Sequence, residues 1–232
     1  MKVALQSAFA FFDVDETILV EKSMFTILEA IGHAAPGFNV RGHRAAIAEM
    51  RAAGYDRAEV NRFFYRGLKG LGAAFVAETA ARYFKRRTAE SEHPLFVWPV
   101  VMRLRDLAAR GIEPVFVSGS ATIFLRPVAA MLEVQHVLAT TLEEDASGCL
   151  TGEITGRCMI GSGKAEAVRD FLSARNVDPA VCWGFGDHPS DADFLSLLGQ
   201  SHIVAGNPDA EAIAAQNGWL VVSNFSENLA EA

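Results

Sequence analysis

The sequence predicts an α/β fold: a mostly parallel sheet flanked by helices, with a small helical insertion after the first strand. Three observations carry this expectation. The apolar runs "FAFFDV", "IEPVFV" and "VCWGFG" read as buried strands, each closed by a polar or acidic group. Apolar positions at helical spacing separate them, as in Val97, Val100, Val101, Leu104 and Leu107. A long helix-patterned stretch without a convincing strand, about residues 23–87, follows the first run.

The elements follow in chain order. "FAFFDV" is the first strand. Inside the helical stretch, "DRAEVNRFFYRGL" starts with Asp56 as an N-cap and Glu59 three positions later, the pattern of a capping box. Gly54 and Gly72 mark breaks between helices. A helix over residues 97–108 ends at Gly111, and "IEPVFVSGS" gives a strand followed by a glycine-containing turn. A helix over 121–132, a strand near "HVLAT" and a hairpin around "ASG" come next. A helix over 163–175 precedes "VCWGFGD". "SHIVAG" and "WLVVS" are strands with a helix near 208–217 between them. Residues 1–19 and 94–232 then form one core domain, and 20–93 a helical cap.

The 232 residues suit a core domain carrying a smaller inserted one. Half are hydrophobic, which supports a packed interior. A net charge of −7 gives nucleic acid no global attraction, so no such partner is expected. The charge is uneven: residues 20–93 hold 12 Lys/Arg against 8 Asp/Glu, and the rest hold 9 against 20. The basic insertion is either a set of solvated helix faces or a lid that draws in anions. Cys149, Cys158 and Cys182 are odd in number and lack metal-site spacing, so a reducing cytoplasm is expected. The apolar start of "MKVALQSAFAFF" is short and broken by Gln6 and Ser7. It is read as neither signal peptide nor membrane span, and no membrane partner is expected.

Ligands of open α/β sheets bind beyond the carboxyl ends of the strands. Asp13 and Asp15 follow the first strand, Ser118 follows "PVFV", and Asp187 follows "VCWGFG". Parallel neighbours would gather these groups in one crevice. Asp13 and Asp15, two apart in an extended chain, point to the same side. One carboxylate can then attack as a nucleophile while the other moves protons. Adding Asp187 and Asp191 makes a cluster in which two charges 4 Å apart repel by roughly 4 kcal/mol. It must take up protons or bind a cation, and oxygen ligands beside phosphate favour Mg²⁺. Lys164 in "GSGK" supplies positive charge. Ser118 and the N–H groups of Gly119 and Ser120 suit phosphate oxygens. "GSGKA" is not a P-loop, because Ala165 stands where Ser or Thr is required.

"DVDET", "VFVSGSA", Lys164 in "GSGKAEAV" and "GFGDHPSD", in that order, resemble the four motifs of the haloacid-dehalogenase-like superfamily. The match is to its phosphoserine-phosphatase-like branch (subfamily IB), with a Rossmann-like core and a small helical cap. The resemblance implies a Mg²⁺-dependent phosphatase acting on a small phosphorylated metabolite. Asp13 is the implied nucleophile and Asp15 the acid and base. Asp13, the Asp15 carbonyl and Asp187 hold the metal, Asp191 supports it, and Thr17 braces the loop. Ser118, Gly119 and Lys164 hold the phosphoryl oxygens. Phosphoryl transfer to a second alcohol, as in a phosphotransferase or mutase, and a silent phosphometabolite-binding protein are the alternatives.

The sequence departs from that branch at one specificity position. Lys22 stands where the branch has a glutamate for the substrate ammonium, so a free amino acid ester is disfavoured and an anionic or polyhydroxylated group suits better. Arg62 and Arg66, four apart on one helix face, are either solvated surface or set so that one of them closes over an anionic substrate. The phenylalanines of "FTIL" and "RFFY" are expected to form the insertion's own core, and His188 to stand at the pocket mouth.

Overall fold

The structure, a computed structural model, describes residues 8–90 and 94–224. "MKVALQS" and the expected cap boundary at residue 93 lie outside the described residues. The strands are β1 Phe9–Phe12, β2 Glu113–Ala121, β3 His136–Glu144, β4 Leu150–Thr155, β5 Trp183–Gly186, β6 Gln200–Val204 and β7 Leu220–Val222. They form a seven-stranded sheet in the order β4-β3-β2-β1-β5-β6-β7. Every neighbouring pair is parallel except β3–β4, an antiparallel hairpin. Asp145 Oδ1 closes its turn by accepting from the N–H groups of Ser147 and Cys149 at 2.8 and 3.1 Å.

The helices are α1 Ser23–Ala34, α2 Val40–Ala52, α3 Arg57–Arg66, α4 Ala73–Ala89, α5 Trp98–Ala109, α6 Thr122–Met131, α7 Ser162–Ser173, α8 Ala192–Leu195 and α9 Pro208–Asn217. The short α8 gives no sequence signal of its own. Helices cover both sheet faces, which is why β1 is buried along its whole length. Its side chains alternate between two cores. Phe9 and Phe11 meet Phe171 of α7 edge-on, at 4.9 and 5.7 Å between ring centres. Phe12 stacks on Phe185 of β5 at 4.6 Å on the other face.

Helices α1–α4 occupy the stretch between β1 and α5. The chain enters and leaves that stretch side by side: Val20 N–H donates to Leu95 O at 3.0 Å, and Val97 N–H to Ile18 O at 2.9 Å. Asp56 and Glu59 form the expected capping box at the start of α3. The apolar faces of α1–α4 merge with sheet residues such as Phe12 and Phe116 in one hydrophobic cluster.

One local expectation fails. Strand β2 does not stop before "SGS" but runs through Ser118, Gly119 and Ser120 to Ala121. Its pairing with β3 shifts between Ser118 and Ala121, and such an irregularity re-aims the strand end. Among the described residues no helix is long and apolar enough to cross a membrane.

Candidate active site

Strand β1 lies between β2 and β5, so the three polar strand ends stand next to one another. Asp13 continues β1, with its N–H on Phe185 O at 2.8 Å. Lys164, in the first turn of α7, donates to Asp13 Oδ1 and Asp191 Oδ1, both at 2.7 Å, and all three side chains are buried. The glycines of "GSGK" have separate purposes. Gly161 caps α7 with φ 54° and ψ −120°. Gly163 leaves no room for a Cβ, which would lie 1.9 Å from Cys158 O.

Asp187 sits beside this pair and accepts from Thr17 Oγ1 at 3.0 Å. Asp13, Asp187 and Asp191 each offer an oxygen within 4.8 Å of the others. Burial, more than any other influence, pushes the Asp13 carboxyl well above the carboxylate range; Lys164 opposes this, and Asp191 and Asp187 add to it. Asp187 is pushed up to about 6, first by burial and then by Asp191. Lys164 is raised because the charges of Asp13 and Asp191 outweigh its burial. One lysine therefore faces three acids, a deficit of positive charge that a cation would fill. The oxygen-only donor set fits a hard divalent ion.

Asp15 is held apart from that cluster. Its Oδ1 accepts from Ser23 N–H at the start of α1 at 2.8 Å, and its Oδ2 from Ser120 Oγ at 2.5 Å. A carboxylate there takes up an otherwise unpaired helix N–H and faces the favourable end of the dipole. Burial still raises its pKa. Glu16 adopts φ 63°, a left-handed conformation uncommon for a non-glycine residue, and pairs with Lys22 at 2.7 Å.

Three side chains converge on the Gly119 carbonyl: Tyr65 Oη at 2.8 Å, Thr140 Oγ1 at 2.9 Å and Asn61 Nδ2 at 3.1 Å. Ser120 N–H, on the same peptide, donates to Ser118 Oγ at 3.1 Å. The Ser118 hydroxyl proton is thereby left to point elsewhere. A cavity of about 280 Å³ opens above these groups, lined by Asp13, Asp15, Ser118, Gly119, Lys164, Asp187 and Asp191 at its floor. Its remaining walls come chiefly from α1, α2 and α3.

Similarity to known proteins agrees with this geometry. The profile of the haloacid dehalogenase-like hydrolases matches residues 10–196. The chain belongs to that family. It is 25% identical over 224 residues to a phosphoserine phosphatase of Mycobacterium tuberculosis, covering 93% of this chain and 70% of that one. It is also 25% identical over 230 residues to a histidinol-phosphatase of Neisseria meningitidis, covering 92% and 97%. A crystal structure of a Bordetella pertussis protein of unknown function overlays with a TM-score of 0.82 at 22% identity, covering 95% of this chain and 100% of that one. The chain is thus a haloacid dehalogenase-like hydrolase, and its Mycobacterium tuberculosis and Neisseria meningitidis relatives are phosphatases.

For this hydrolase the structure brings Asp13, Asp15, Ser118, Gly119, Lys164, Asp187 and Asp191 to one floor, and Lys22 to its rim. The Asp15 carboxylate is not one of the three clustered acids. His188 lines the cavity, its Nδ1 accepting from Ser190 N–H at 3.1 Å; burial and then the Arg57 charge lower its pKa to about 4. Arg62 and Arg66 do not line the cavity. Helix α3 buries Val60, Asn61, Phe64 and Tyr65, which turns both arginines outward, and Arg66 pairs with Glu153 at 3.3 Å. The arginines at the cavity are Arg51 and Arg57. Phe25 and Phe64 belong to the core and also line the cavity, so they are not core alone. Sequence reasoning missed Asn61 and Tyr65; their i, i+4 spacing on α3 was the available signal.

Proposed function

We propose that this enzyme hydrolyses a small-metabolite phosphomonoester through an aspartyl-phosphate, with Mg²⁺ as cofactor. The observation that carries this reading is Asp13 itself. It is a buried carboxylate with one oxygen fixed by Lys164, beside two further acids, at the end of the central strand. Asp13, Asp187 and the Asp15 carbonyl would hold the ion, supported by Asp191. A bound Mg²⁺ neutralises charge on the phosphoryl oxygens and on the acids around it.

The chain's own groups account for the remaining chemistry. A bond forms between an Asp13 oxygen and phosphorus as the bond from phosphorus to the ester oxygen breaks. Asp15, its pKa raised by burial, gives its proton to the departing oxygen. Asp15 then takes a proton from water, whose oxygen attacks phosphorus, releasing phosphate and restoring Asp13. Ser118, the Gly119 N–H and Lys164 hold the phosphoryl oxygens throughout. The segment 20–93 serves as a cap over a core of 1–19 and 94–232, and the cavity between them admits a small molecule. Three free cysteines suit a cytoplasmic setting.

Hydrolysis of a chromogenic aryl phosphate tests this, run with Mg²⁺, with EDTA and with Asp13→Asn. Activity confined to the native chain with Mg²⁺ is expected. Equal rates in all three would overturn the proposal.

A further inference from the structure

Two basic residues stand at the cavity without acidic partners. Arg51 comes from the last turn of α2, and Arg57 begins α3. Both line the cavity. Among the described residues no carboxylate lies within ion-pair distance of either. Arg57 spends one N–H on Ser190 Oγ at 3.2 Å. Arg51 lies over the Phe25 ring at 5.2 Å. A guanidinium carries five donors, so both keep most of theirs. They are near enough that Arg57, after burial, lowers the Arg51 pKa. Two adjacent cations with spare donors are what an anion requires. Phe25, Phe64 and Val60 line the same cavity and give it an apolar wall, with Phe25 beneath Arg51 and edge-on to Phe64.

We propose that the substrate's leaving group carries a second anion, a carboxylate or another phosphate, held by Arg51 and Arg57 while an apolar segment lies against Phe25 and Phe64. This rests on the phosphatase reading of the floor and adds what the alcohol must carry. An amino acid ester fits less well, because Glu16, the acid at the rim, is already paired with Lys22 at 2.7 Å.

Matched esters test the proposal on the full chain with Mg²⁺: phenyl phosphate, 4-carboxyphenyl phosphate, 4-(aminomethyl)phenyl phosphate and 1,4-phenylene bisphosphate. The carboxylated or bisphosphorylated ester is expected to exceed phenyl phosphate in kcat/KM by about tenfold, and the aminomethyl ester to fall below it. Whichever of these two esters leads, the carboxylated or the bisphosphorylated, identifies the second group. Arg51→Met and Arg57→Met each shrink that preference, mainly through KM, and the double variant removes it. Equal kcat/KM for all four esters overturns the proposal while leaving the phosphatase reading intact. So do variants that slow every ester alike. Failure to hydrolyse any ester defeats the phosphatase reading instead. Calorimetric titration of Asp13→Asn with the same esters then decides the anion site, and equal affinity for phenyl and carboxyphenyl phosphate overturns it.

Discussion

Lys164 Nζ lies 2.7 Å from Asp13 Oδ1, with both side chains buried, and the same nitrogen holds Asp191 at 2.7 Å. A single ammonium thus orients one acid and offsets two. Removing one partner of a buried pair leaves uncompensated charge and costs about 3–5 kcal/mol. Lys164→Met is expected to lower stability by that order in EDTA and to abolish turnover. Denaturant unfolding with EDTA and with Mg²⁺ checks this. A loss below about 1 kcal/mol in EDTA would show that the acids do not need the lysine.

The acid cluster makes metal affinity and stability depend on pH. Asp187 titrates at about 6 in the fold, above its ordinary value of 3.8. Below the lower value both folded and unfolded chains hold the proton. Between the two values the folded chain keeps a proton that the unfolded chain has lost. Metal-free stability from this group is therefore full at low pH and is lost as pH rises through about 6, by about 3 kcal/mol in all. With the proposed Mg²⁺ bound to the ionised form, the loss is expected to be restored. The Tm difference between Mg²⁺ and EDTA should grow from about pH 5 to about pH 8. A difference constant over that range contradicts the cluster's role.

Tyr65, Asn61 and Thr140 fix the Gly119 carbonyl, and the first two belong to α3. Tyr65→Phe removes one donor and should cost about 1 kcal/mol of stability. Because the same peptide carries the N–H that engages Ser118, kcat should fall more than KM rises. Steady-state kinetics separates the two, and a change confined to KM would make Tyr65 a wall of the pocket rather than a positioning residue.

Arg62 and Arg66 face away from the cavity, and Arg66 is tied to Glu153 on β4 at the surface. Exposed pairs of this kind contribute about 0–1 kcal/mol. Arg62→Ala and Arg66→Ala should each change kcat/KM by less than about twofold. A larger loss with the preferred substrate would mean that α3 turns toward the cavity during turnover.

The floor of the site was legible because each of its parts is contiguous. A strand, its terminal acid and the next turn occupy neighbouring positions, and parallel order does the gathering. Asp13, Ser118 and Asp187 are recognisable in this way, and Lys164 by its place at a helix start. The walls were not legible, because they depend on how a helix rotates when it packs. Arg62 and Arg66 share a face by spacing, but the burial of Phe64 and Tyr65 decides where that face points. The contacts of Asp15 with Ser23 and Ser120 join residues up to 105 apart, and no local pattern marks them. The extension of β2 through "SGS" was hidden because those residues resemble a turn, while pairing with β3 keeps them extended.

Acid-quenched mass spectrometry of the chain, caught during turnover of an aryl phosphate with Mg²⁺, tests the account most directly. One added phosphoryl group on the peptide containing Asp13, absent with EDTA and from Asp13→Asn, is the predicted result. Undiminished hydrolysis by Asp13→Asn, with no phosphoryl group on that peptide in the native chain, would contradict it.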